Sequence, residues 1–184
     1  GFLRSRHYAP IVDALESCGY SVAADVVNAA DYGVPQNRRR LVMLASRCRP
    51  VSIPRPLPSK VSWDEATRDL WGDLEPVDPI ATQTKAFGPI SQWGDETFLI
   101  QRIGSPGNST GRKPYRCFIG EQANTIRALG SDRHWRQCNV YRDGRLYSVP
   151  PRFYARLQTF PDSYGLDVEG VLNWQLGKGI GNAY

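Results

Sequence analysis

Long apolar runs are missing from this chain: none approaches the roughly 20 residues a helix needs to cross a bilayer, and the first residues show no secretory apolar core. Cysteine is scarce. Cys18, Cys48, Cys117 and Cys138 form no C-x-x-C pair, and His134 with Cys138, at i and i+4, is an isolated spacing, so no zinc site is expected. The thiols are expected to be reduced, in a cytosolic protein. No internal repeat is apparent. What is present suits a folded protein, with 41% hydrophobic and 11% aromatic residues in a length of 184 that can bury one sizeable core.

The net charge of +5 is unevenly spread. Cys48 to Gln101 holds five basic residues against eight acidic, whereas Arg102 to Arg145 holds nine against three. The basic stretch includes Arg112, Lys113, Arg116 and Arg127 and is interleaved with Tyr115, Phe118, Trp135 and Tyr141. Such a mixture suits a surface that meets nucleic acid, although charge alone fits a solvated basic loop equally well.

Periodicity and punctuation predict a helix over Tyr8 to Glu16, a strand over Ser21 to Asn28 and a buried strand over Leu41 to Ala45. Four prolines between Arg49 and Pro58 read as a linker. Ser62 and Glu65 form a capping-box pattern for a short helix reaching Leu70. Phe98–Ile100 and Tyr115–Ile119 read as short strands flanking a Gly/Ser loop, and Pro151 opens a helix to Gln158.

The most informative stretch is Tyr32-Gly33-Val34-Pro35-Gln36-Asn37-Arg38-Arg39-Arg40-Leu41. In extended backbone Gln36, Arg38 and Arg40 project from one face, and Asn37 and Arg39 from the other. Guanidinium forks so placed, at the mouth of a core strand, can grip phosphate oxygens or a pyrimidine carbonyl. The alternative is a solvated basic corner.

This segment resembles motif VIII of the cytosine-C5 DNA methyltransferases. Pro151-Arg152-Phe153-Tyr154-Ala155-Arg156-Leu157-Gln158-Thr159-Phe160-Pro161-Asp162 is similar to motif IX, and Gly179-Ile180-Gly181-Asn182-Ala183-Tyr184 to the opening of motif X. Three blocks in the family's order make the signal specific. The resemblance implies an α/β chain: the C-terminal strands of a Rossmann-like S-adenosylmethionine-dependent methyltransferase fold, plus a mostly β or irregular target-recognition region. Residues 1–48 and 145–184 would belong to the catalytic domain and 49–144 to the recognition region.

By the same resemblance Arg40 is aimed at the cytosine O2, Arg38 holds the reactive loop or a neighbouring phosphate, and Gln36 orients the site. Asn182 and Ala183 would line the S-adenosylmethionine pocket. Thr125 stands where the family carries a recognition-region threonine, which can bond a phosphate beside the extruded base; a plain strand threonine fits the tetrapeptide Asn124-Thr125-Ile126-Arg127 as well. Arg152 and Arg156, at i and i+4, are used by the family to bind phosphate and brace the recognition region, or are simply solvated. Motif IX usually has Arg-Glu where Arg152-Phe153 stands, and motif X often has Gln at Gly179 and Val at Tyr184, changes that alter the fine geometry of the cofactor wall.

The family's Pro-Cys nucleophile, its Phe-x-Gly-x-Gly cofactor loop and its Glu-Asn-Val acid are absent. The expectation is a fragment of a longer DNA (cytosine-5-)-methyltransferase, or one subunit of a split one, inactive alone and partnered by double-stranded DNA and an N-terminal half, in a bacterial or phage setting. A non-catalytic DNA-binding module and a tRNA methyltransferase are the competing readings.

Overall fold

A computed structural model describes residues 4–101, 114–127 and 138–183. The β-branched and small residues of Ser21–Asn28 form strand β1, which pairs antiparallel with β3 (Arg39–Ser46) in a register from Ser21↔Ser46 to Asn28↔Arg39. Helix α1 (Tyr8–Ser17) precedes them. Between them a 3-10 turn, Ala29–Tyr32, ends on Gly33 at φ 86°, a left-handed conformation suited to glycine, before strand β2 (Gln36–Asn37).

This two-stranded sheet is less enclosed than expected. Leu41, Val42, Met43 and Leu44 are half-buried rather than buried, and α1 contributes no buried residue. A sheet of two strands cannot close a core by itself.

The proline-rich linker is irregular, as expected, and is laced back to the turn before β2: Leu57 N–H donates to Asp31 O at 2.8 Å, the Tyr32 hydroxyl to Pro54 O at 2.9 Å, and Lys60 pairs with Asp31 at 2.7 Å. Helix α2 (Trp63–Thr67) begins with the Ser62 hydroxyl accepting from Glu65 N–H, then tightens into 3-10 turns over Arg68–Asp73 instead of continuing to Leu70.

The largest sheet has five antiparallel strands in the order β4 (Pro76–Val77), β9 (Arg145–Ser148), β8 (Cys138–Arg142), β5 (Phe98–Gln101) and β6 (Tyr115–Phe118), with helix α3 (Ala81–Phe87) on the connection from β4 to β5. Side-chain alternation sends Leu99, Cys117 and Val140 to one face and Phe98, Ile100 and Tyr141 to the other. The first face packs on Trp63, on Phe153, Tyr154 and Leu157 of helix α4 (Pro151–Leu157) and on Ile180 of helix α5 (Asn173–Asn182). The second encloses Trp93. The sheet runs to Ser148, past the boundary expected at residue 145. A short parallel bridge joins β2 to β7 (Ala123–Asn124), pairing Gln36 with Ala123 and Asn37 with Asn124. Among the described residues no helix is long and apolar enough to cross a membrane.

Candidate active site and nucleic-acid interface

The alternation at residues 36–40 is real, and its inward members serve the backbone. Gln36 is fully buried; its Nε2 donates to Leu157 O at 2.9 Å and its Oε1 accepts from Ile126 N–H at 2.8 Å. Arg38, 7% exposed, donates from Nη1 to Ile126 O at 3.1 Å and from Nη2 to Ala183 O at 3.0 Å. One guanidinium thereby ties the loop after β7 to the end of α5. Asn37 points the other way, towards Asn28 and Gln122 O.

Arg40 is exposed, and its Nη1 donates to Arg39 O at 2.8 Å. It lines a cavity of about 460 Å³ together with Arg38, Thr125, Ile126, Arg127, Gly181 and Asn182. Arg39 is not part of that wall. Among the described residues the lining holds the guanidinium groups of Arg38, Arg40 and Arg127, a hydroxyl and an amide and no carboxylate, a composition suited to phosphate or carbonyl oxygens, with Arg38 itself engaged by the carbonyls of Ile126 and Ala183. The Thr125 hydroxyl donates to Asn37 O at 2.6 Å, and Asn182 is exposed at the rim while Ala183 is half-buried.

The other basic residues take different positions. Arg116 lies over the rings of Phe87 at 4.4 Å and Phe98 at 4.5 Å, a stacked arrangement that holds its guanidinium against the second core. Arg152 donates to the carbonyls of Pro161 and Tyr164. Arg156 grips both carboxylate oxygens of Asp69 at 2.8 and 2.9 Å and both of Asp162 at 2.6 and 2.7 Å, so it braces α4 against the segment after α2. That hydrogen bonding holds the Asp69 carboxyl below the usual range and raises the Arg156 guanidinium further. Arg112, Lys113 and His134 lie outside the described residues.

Neither core cysteine is a nucleophile. Burial pushes the Cys138 thiol up to about 12, and burial with the charge of nearby Glu121 raises that of Cys117, so neither supplies a thiolate at neutral pH. Among the described residues no group of three His, Cys, Asp or Glu side chains could hold a metal ion.

Sequence reasoning missed Gln101, at the end of β5, which is 3% exposed and pairs with the backbone of Asn124, and Gln158, whose Nε2 donates to Ile180 O. The signal was a polar side chain closing the apolar run Phe98-Leu99-Ile100.

The sequence profile described as C-5 cytosine-specific DNA methylase matches residues 3–184. The chain belongs to this family. Type II methylase M.HgiDII of Herpetosiphon aurantiacus is 28% identical to it, covering 99% of this chain and 57% of its own length. Type II methyltransferase M.BsuRI of Bacillus subtilis is 30% identical over 94% of this chain and 41% of its own length. The chain spans about half the length of the curated relatives it matches. Among solved structures, the Entamoeba histolytica methyltransferase EhMeth shares the fold, with a TM-score of 0.53 and 13% identity over 99% of this chain and 55% of that one. The cavity at Arg40 gathers residues from three segments remote in sequence: Arg38 and Arg40, residues 125–127, and residues 181–182.

Proposed function

We propose that the chain is the DNA-reading and base-proximal part of a DNA (cytosine-5-)-methyltransferase, working in a bacterial cytoplasm on cytosine flipped out of duplex DNA. The observation that carries this reading is the meeting of Arg40, Thr125, Arg127 and Asn182, from segments remote in sequence, around one cavity. Arg40 supplies a fixed cation to the charge that builds on cytosine O2 as C6 is attacked. Thr125 and Arg127 hold the flanking phosphate, the Thr125 hydroxyl turning to it from Asn37 O. Gln36 and Arg38 act from beneath, orienting the loop that bears Thr125.

S-adenosylmethionine, when bound, supplies the methyl group. The residues present fit its edge: Asn182 offers an exposed amide at the cavity rim, and Arg38 fixes the Ala183 carbonyl beside it. Residues 1–48 and the return after β9 form part of the catalytic domain, and residues 49 to about 148 the recognition region. The half-buried face of the β1–β3 hairpin receives the half of the enzyme that carries the Pro-Cys nucleophile, the N3 acid and the cofactor loop. DNA phosphates beyond the target are met by Arg112, Lys113, Arg116 and, beside its brace, Arg152, while Arg156, whose five N–H groups are all spent on Asp69, Asp162 and Ala66 O, serves only as a brace.

The test is methyl transfer from labelled S-adenosylmethionine to cytosine-containing duplex, by the chain alone and mixed with an N-terminal half bearing those motifs. The mixture turns over and the chain alone does not. Tight duplex binding by a mixture without turnover would favour a module acting by occupancy.

A further inference from the structure

We propose that Gln101 is a positioning residue for Thr125, acting through the backbone of Asn124; this rests on the reading of the cavity given above. Gln101 is buried at the end of β5, and its carboxamide pairs with both backbone groups of one residue. Asn124 N–H donates to Oε1 at 2.5 Å and Nε2 donates to Asn124 O at 3.1 Å. The side chain thus imitates a neighbouring strand. A glutamine that merely filled space would have no need to place both amide atoms on the two backbone groups of one residue.

The residue on the far side of Thr125 is held in the same fashion. Ile126 N–H donates to Oε1 of buried Gln36, and Ile126 O accepts from Arg38. Two buried carboxamides therefore flank Thr125, one on each side. Both lead to α4. Gln36 Nε2 donates to Leu157 O, while Gln101 Nε2 lies 3.6 Å from Cys138 Sγ, whose own backbone N–H donates to the Tyr154 hydroxyl. The side chain of Asn124 adds no anchor through its Nδ2, which is buried without a partner among the described residues, so on this side the loop is held by the backbone pairing to Gln101 together with the β2–β7 bridge. With Asn124 and Ile126 both pinned, the backbone of Thr125 is set before DNA arrives, and its hydroxyl, which rests on Asn37 O, needs only to rotate to the phosphate beside a flipped nucleotide.

The test uses the reassembled enzyme with Gln101→Leu, Thr125→Val and the double variant. Gln101→Leu should lower kcat about 10- to 100-fold while leaving the KM for duplex DNA within about threefold, because a misplaced group costs rate more than binding. In the double variant the loss should not exceed that of the worse single variant, since one residue acts through the other. Gln101→Glu, which keeps the length and guards against a failure of the leucine variant to fold, should regain rate as pH falls. Its protonated carboxyl again donates to Asn124 O while accepting from Asn124 N–H. Multiplying losses in the double variant, or an undiminished kcat in Gln101→Leu with only its melting temperature lowered, would overturn the proposal. Amide exchange separates this idea from the functional reading. Should the wild-type mixture show no turnover, the reading of function fails, and faster exchange at Asn124 and Ile126 in Gln101→Leu would still uphold the hold on Thr125, whereas unchanged protection there would overturn it.

Discussion

Two strands of similar apolar character end in opposite states. In β5 all four residues from Phe98 to Gln101 are buried; in β3 none of the eight from Arg39 to Ser46 is. Both are β-branched or apolar runs bounded by polar residues, so composition does not separate them. What separates them is cover. β5 lies at the interior of a five-stranded sheet with a hydrophobic cluster on each face, while β3 has one neighbouring strand in a sheet of two. The five-stranded sheet is covered on one face by α2, α4 and α5 and on the other by the Trp93 cluster, whereas the hairpin that carries the arginine array leaves its apolar side chains half-exposed.

The largest effect should come from the closed side. Trp63 is fully buried, stacks on Trp71 at 5.4 Å and donates its indole N–H to Phe118 O at 2.8 Å. Trp63→Ala should cost about 3 to 5 kcal/mol in urea unfolding, whereas Val42→Ala in the half-buried hairpin should cost about 1 kcal/mol or less. Equal losses would break the contrast. A loss at Val42 that grows when the N-terminal half is added would sharpen it.

Next comes Arg38, which belongs by sequence to the hairpin and by contact to the closed side. Arg38→Ala leaves the carbonyls of Ile126 and Ala183 without their donor and should cost about 2 to 3 kcal/mol, measured by the same unfolding curve. A cost near zero would mean that water replaces the guanidinium.

A smaller effect, of opposite sign, is expected at Thr159, a β-branched residue held at φ 60° after α4. Thr159→Gly should stabilise the chain by up to about 1 kcal/mol, read as a rise in melting temperature.

The smallest should be the acid response of the Arg156 brace. Asp69 has its pKa lowered by the hydrogen bond from Arg156, so the brace contributes fully above the ordinary carboxylate value of 3.8 and is lost as pH falls through the lower folded value. Both partners are near the surface, and salt should weaken the effect. Asp69→Asn should remove it; an acid response unchanged in that variant would place it elsewhere.

Elements ruled by local chemistry were legible in the sequence: the helix at Tyr8, the strand from Ser21 to Asn28, the Ser62 cap and the Pro151 helix entry all appear where turn and capping residues put them. Strands β8 and β9 and helix α5 were not. Arg142 and Arg145, and the glycines at 177, 179 and 181, argue locally against regular structure, and only the β8–β9 pairing, which sets Arg142 opposite Arg145, and packing on α4 overrule them. At the site, the alternation of Gln36, Arg38 and Arg40 was readable from the period of two. The partners of Gln36 and Arg38 lie 88 to 145 residues away and are beyond any local pattern.

Arg40 lines the cavity and Arg39, one residue away, does not; on the proposed function Arg40 therefore faces the reacting base and Arg39 is turned from it. In the reassembled enzyme, single-turnover methylation should fall about 100- to 1000-fold in Arg40→Ala, the usual loss for one preorganised donor to developing charge, and stay near wild type in Arg39→Ala. Duplex affinity should change little in either. Equal rate losses in the two variants, or none in Arg40→Ala, would contradict the account.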